Sequence, residues 1–143
     1  MFNLIYRDGA RENAGHYETR EKVNKNQNMR CGQVVVKSTE YKLTNDVSQF
    51  PETITEAFLV CADSPAGEKY VVVMRITHDM IFAVPIAEDV VESAVTQDGY
   101  FGIEVDDDGD QSIKYGGSGL VGFAREYGDL KAGDIVEVRF AVR

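Results

Sequence analysis

The residues able to do chemistry in this chain of 143 residues are few and scattered. His78 and Asp79 stand together in "RITHDMIFAVPI" (Arg75–Ile86) and are types that serve as general base and orienting acid. Neighbours on a strand point to opposite faces, so the pair would not converge there. A turn suits Thr77, His78 and Asp79 better, because such side chains hydrogen-bond their own backbone in bends. The run "EVDDDGDQ" invites a calcium loop. With Gly109 at the required glycine, Glu104, Asp106 and Asp108 take ligand positions one, three and five, but Tyr115 takes the twelfth, where a bidentate glutamate belongs. A hairpin tip turned by Asp108-Gly109 is the expectation, with only adventitious cation binding. "GSGLVG" (Gly117–Gly122) matches the dinucleotide fingerprint, and Glu137 lies twenty residues beyond Gly117. The preceding "QSIKY" is too polar for a buried parallel strand, and only 21 residues follow Gly122, so a glycine-rich bend is expected. "GGSGL" carries Leu120 where a nucleophile elbow needs its last glycine. The histidines are two, His16 and His78, and Cys31 and Cys61 lack metal-ligand spacing; the thiols read as buried and free in a reducing compartment. No nucleophile, base and acid declare themselves together. The expectation is a non-enzymatic protein without cofactor or metal.

The elements that would position any site are strands. "QVVVK" (Gln33–Lys37), "EAFLVCA" (Glu56–Ala62) and "YVVVMRI" (Tyr70–Ile76) are β-branched or apolar runs, and the Ser64–Lys69 spacing predicts a hairpin between the last two. "YFGIEV" and "QSIKY" flank the acidic tip as another hairpin, and "GLVGFAREY" holds a further strand. In "DIVEVRFAVR", Val136, Val138, Phe140 and Val142 alternate with Ile135, Glu137, Arg139 and Ala141, the period of a half-buried strand. Only "AEDVVESAV" (Ala87–Val95) reads as helix, one or two turns of it. Short strands with little helix predict a mainly β fold, a small β-sandwich or barrel-like domain.

Residues 1–30 differ from the remainder. They hold six basic and four acidic side chains, whereas residues 31–143 hold nine basic and twenty acidic, giving the chain a net charge of −9. After Phe2, Leu4, Ile5 and Tyr6 the apolar residues thin out, and Val23 and Met29 are too few to dock a helix. This predicts an extended N-terminal arm, 1–30, on a β-rich domain, 31–143. The acidic body argues against nucleic-acid binding, and no apolar run reaches the roughly 18 residues of a membrane helix. The plain expectation is a soluble protein made inside a cell. Pro85 cannot donate to a ladder, so "MIFAVPI" is expected at a sheet edge, where Met80, Ile81, Phe82, Val84 and Pro85 would self-associate unless the same chain covers them.

The order of "GQVVV" near residue 32, "ITHDMIFAVPI" (Ile76–Ile86) and "GDIVEVRF" (Gly133–Phe140) resembles the capsid decoration, or cement, proteins of tailed bacteriophages, over roughly residues 32–143. Residues 1–30 match no motif of that family. The resemblance implies a β-rich homotrimer on the outer surface of the virion, assembled in the host cytoplasm, that clamps adjacent major capsid protein subunits. On that reading Phe2, Leu4, Ile5 and Tyr6 are the arm's apolar anchors, and Arg7, Arg11 and Arg20 bond acidic capsid surface. A small-ligand or carbohydrate-binding β-sandwich of fibre or adhesion type, with some of the seven Tyr and seven Phe as its platform, is the alternative.

Overall fold

The computed structural model describes residues 1–6, 17–38, 41–51, 54–91, 101–116 and 120–142. Its strands are β1 (Asn3–Tyr6), β2 (Tyr17–Glu21), β3 (Val34–Lys37), β4 (Leu43–Thr44), β5 (Ala57–Val60), β6 (Tyr70–Arg75), β7 (Ile81–Pro85), β8 (Phe101–Val105), β9 (Gln111–Tyr115), β10 (Val121–Phe123) and β11 (Ile135–Phe140). They form two antiparallel sheets packed as a small β-sandwich, in the orders β1-β7-β11-β10-β8-β9 and β2-β6-β5-β3-β4. Both expected hairpins are present: β5 pairs with β6, and β8 with β9. A 3₁₀ turn, Val47–Gln49, is capped by the Asp46 carboxylate, which accepts from the Ser48 N–H.

Sandwich and barrel meet in this architecture, because each sheet curls until its ends approach. Just past β7, Ile86 bridges Ile113 of β9, and the Ala87 N–H donates to the Ile113 carbonyl at 2.8 Å. Just past β2, Lys22 bridges Leu43 of β4, and the Val23 N–H donates to the Leu43 carbonyl at 2.9 Å. The strand alternation then fills two apolar cores. The larger lies between the sheets and includes Phe82, Val84, Val136, Val138 and Phe140, joined from the other sheet by Val34, Val36 and Leu59. The smaller lies inside the curl of the five-stranded sheet and holds Met29, Val35, Leu43, Phe58, Val60, Val71 and Val73. Runs such as "VVV" in β3 are apolar at consecutive positions because both faces of that strand are covered.

Polar side chains join the layers. Gln111 of β9 is buried, its amide donating to the Val34 carbonyl and accepting from the Val34 N–H, so a side chain serves as one ladder rung between the sheets. Lys22 is 2% exposed, and its ammonium donates to the carbonyls of Gln27, Ser64 and Pro65 at 2.9–3.0 Å. Burial pushes its pKa down, with the nearby Glu68 charge opposing.

Three expectations are corrected here. Residue 30 is not a boundary: β1 pairs with β7, β2 pairs with β6, and Met29 is a core residue, because this segment supplies both edge strands and apolar filling. The strand Ile81–Pro85 is not an edge, since β1 covers one side and β11 the other; Pro85 is tolerated at its last position, opposite Ile135. Residues 87–91 are not helical, and Val90 instead bridges Leu130; the rest of the expected helix lies outside the described residues.

Candidate interaction surface

Among the described residues, those singled out for chemistry do not assemble. His78 is exposed in a turn whose Thr77 hydroxyl bonds the Asp79 carboxylate. The acidic tip is tied up internally. One Asp106 oxygen accepts from the N–H groups of Asp108 and Asp110, Arg30 pairs with Asp110, and Gly109 supplies the φ of +82° that the turn requires. Glu137 pairs with Arg125 at 3.5 Å, and β10 runs antiparallel to both β8 and β11, unlike a dinucleotide fold. His16 and Gly117–Gly119, with Ser118 between them, lie outside the described residues. Among the described residues no three His, Cys, Asp or Glu side chains converge to hold a metal ion, and no helix is long and apolar enough to cross a membrane. Among the described residues there are shallow clefts. One of about 500 Å³ lies between the 3₁₀ turn and β8, lined by Asp46, Ser48 and Glu104, and one of about 240 Å³ is lined by Lys37, Tyr41, Pro51 and Glu56.

The expected arm anchors divide by face. Phe2 is 2% exposed, its ring 5.3 Å from Phe140 and 6.3 Å from Phe82, and its N–H donates to the Gly32 carbonyl. It is a core residue and cannot also reach a partner. Gly32 must be glycine for this contact: its φ is +92°, and a Cβ there would sit 3.2 Å from the Phe2 carbonyl oxygen. Leu4 packs on the same core, whereas Ile5 points outward and is 47% exposed. Tyr6 pairs with Ile81 in the backbone register. Arg7 and Arg11 lie outside the described residues. Arg20 pairs with Glu18 at 3.0 Å and lies over the Phe58 ring at 5.3 Å, closing the small core. Within β7 and its preceding residue, Met80, Phe82 and Val84 are buried, while Ile81 and Pro85 alternate to the other face and are half-buried.

This alternation builds one surface. On the outer face of the six-stranded sheet, Ile81, Ala83 and Pro85 of β7 and Ile135 of β11 form an apolar strip, with the exposed Ile5 beside it at the bulge between Leu4 and Tyr6 of β1. Ile135, opposite Pro85, is 62% exposed. Asn3, Glu137 and Arg139 border the strip. Single exposed apolar residues are ordinary, but a contiguous row with a polar rim is the pattern of a contact surface. The residue that sequence reasoning passed over is Ile135, and its signal was an isoleucine on the polar face of "IVEVRF".

Compared with known proteins, the chain matches no family model, no curated protein and no solved structure.

Proposed function

We propose that this protein is a structural, non-enzymatic decoration protein of a tailed-bacteriophage capsid. It would act as a homotrimer on the outer shell, clamping adjacent major capsid protein subunits. The observation that carries this reading is the apolar strip Ile81, Ala83, Pro85 and Ile135, with Ile5 beside it, on a sheet face of an otherwise acidic protein. The order of "GQVVV", "ITHDMIFAVPI" and "GDIVEVRF" supports the partner class. The binding site therefore moves from a free arm to a sheet face, which holds its anchors in position before binding and avoids the entropy cost of ordering a loose segment. Burial of the strip gives each copy a modest contact. Three copies joined in a trimer act at a high effective concentration on neighbouring subunits, so weak contacts add to a firm clamp.

The test is to mix the purified protein with mature shells stripped of their decoration protein and to sediment them. Pelleting at a saturable, fixed number of copies per shell supports the proposal, as does a solution mass about three times the 15.9 kDa chain. A protein that stays in the supernatant over every stripped shell tested removes it. The carbohydrate-binding alternative draws on exposed Tyr17, Tyr41 and Tyr70, but Tyr17 and Tyr70 sit at opposite ends of the β2–β6 pair, with Tyr17 opposite Met74 and Tyr70 opposite Glu21. Those two rings therefore do not share one platform.

A further inference from the structure

Cys31 and Cys61 were expected as two buried thiols, and the structure places them otherwise: Cys31 is exposed and Cys61 half-buried, both free. They also lie side by side. Two rungs hold their segments together. On one side Gly32 and Gln33 both face Val60, with the Gly32 N–H donating to the Val60 carbonyl at 2.9 Å and the Val60 N–H to the Gln33 carbonyl at 2.8 Å. On the other, Met29 and Ser64 exchange both backbone hydrogen bonds, at 3.0 and 2.7 Å. Between these rungs the Cys31 N–H is fixed by the Asp63 carboxylate at 2.8 Å, and the Cys31 sulfur sits 3.5 Å from the Cys61 carbonyl oxygen. The Cys61 sulfur lies 3.4 Å from the Leu59 carbonyl, on the flank of the large core.

We propose that Cys31 and Cys61 form a dithiol site that takes a low-molecular-weight disulfide and closes to an intramolecular disulfide. Cys31, the accessible thiol, is the attacking group. Its thiolate attacks one sulfur of the small disulfide, forming a mixed disulfide and releasing one small thiolate, which takes up a proton. The Cys61 thiolate then attacks the Cys31 sulfur, the Cys31–Cys61 bond forms, and the second small thiol leaves. The protein loses two electrons and two protons, and one small disulfide becomes two small thiols. Burial, and after it the neighbouring Cys31, pushes the Cys61 thiol up, which favours Cys31 as the first to react. The closed bond would staple the turn before β3 to the end of β5 and close a loop of roughly 30 residues. Both cores touch this junction, since Val60 and Met29 belong to one and Leu59 to the other.

The experiment incubates the native protein with oxidised glutathione, quenches with an alkylating agent, and reads intact mass and tryptic peptides. The expected result is a species with no alkylated cysteine, no glutathione adduct, a Cys31–Cys61 linked peptide and a Tm above that of the reduced protein. The Cys61→Ala variant should accumulate a lasting glutathione adduct on Cys31, and Cys31→Ser should leave Cys61 unmodified while folded. Two freely alkylated thiols, a stalled adduct on Cys31 in the unsubstituted chain, or disulfide-linked dimers would each overturn the proposal. The wild-type readout stands even where a variant fails to fold.

Discussion

Truncating Phe2 separates a chain whose first residues are core from one whose first residues are a loose arm. Phe2 is 2% exposed, with its ring between Phe82 and Phe140, so Phe2→Ala removes a buried aromatic side chain and leaves a cavity between the sheets. Substitutions of this kind cost about 3–5 kcal/mol. Unfolding entropy of about 2.1 cal/mol/K per residue gives roughly 0.3 kcal/mol/K for a chain of this length. The loss in Tm is then about 10–17 °C, to be read by thermal unfolding alongside a urea titration. Ile5→Ala, three residues on and 47% exposed, should lower Tm by no more than about 3 °C. The pair controls for any general sensitivity of the segment. A Phe2→Ala protein that melts within about 2 °C of the parent would show the residue outside the core, and the pairing of β1 with β7 would fall with it.

Other substitutions test the polar seams. Gln111→Leu strands the Val34 N–H and carbonyl in the interior and should cost about 2–4 kcal/mol by urea unfolding, although leucine is the more apolar residue. Lys22→Met leaves the Gln27 and Pro65 carbonyls without the ammonium and should destabilise by about 1–3 kcal/mol, with opening first around residues 22–30 by hydrogen exchange. Glu56 has its carboxyl held below the usual range, chiefly by the Lys37 hydrogen bond and then by the charges of Lys37, Arg75 and Arg20. A folded pKa below the unfolded one adds stability above the unfolded carboxylate range and loses it as pH falls through the folded value. Glu56→Gln should therefore lower stability by on the order of 1 kcal/mol at neutral pH, with the gap closing in acid as measured by urea midpoints.

Much of the fold was legible because it rests on local signals. The alternation in "IVEVRF" marks β11 with Val136, Val138 and Phe140 inward, and Asp108-Gly109 marks the β8–β9 tip, where Gly109 takes a positive φ. What stayed hidden depends on partners far apart in sequence. "NLIY" and "YETRE" are too short or too polar to announce strands alone; β7 and β6 impose that geometry on them. Pro85 suggested an edge, yet proline also fits the last rung of an inner strand, and β1 comes from about 80 residues away to cover the other side. The burial of Lys22 and Gln111 has no local sequence signal, because their partners are backbone groups brought near only by the curling of the sheets. The same holds for the contact strip. In the sequence Ile5 reads as an arm anchor and Ile81 and Pro85 as an edge, and they join Ile135 on one surface only through the placement of β1, β7 and β11 side by side.

The claim that this strip is the working surface is tested most directly by comparing Ile135→Asp with Val105→Asp in the shell-sedimentation assay. Both residues are exposed, Ile135 at 62% within the strip and Val105 at 40% away from it. Both variants should keep the parental Tm, since neither side chain fills a core. The account predicts that Ile135→Asp loses most of its binding to stripped shells while Val105→Asp binds as the parent does. Equal binding by all three proteins would contradict it.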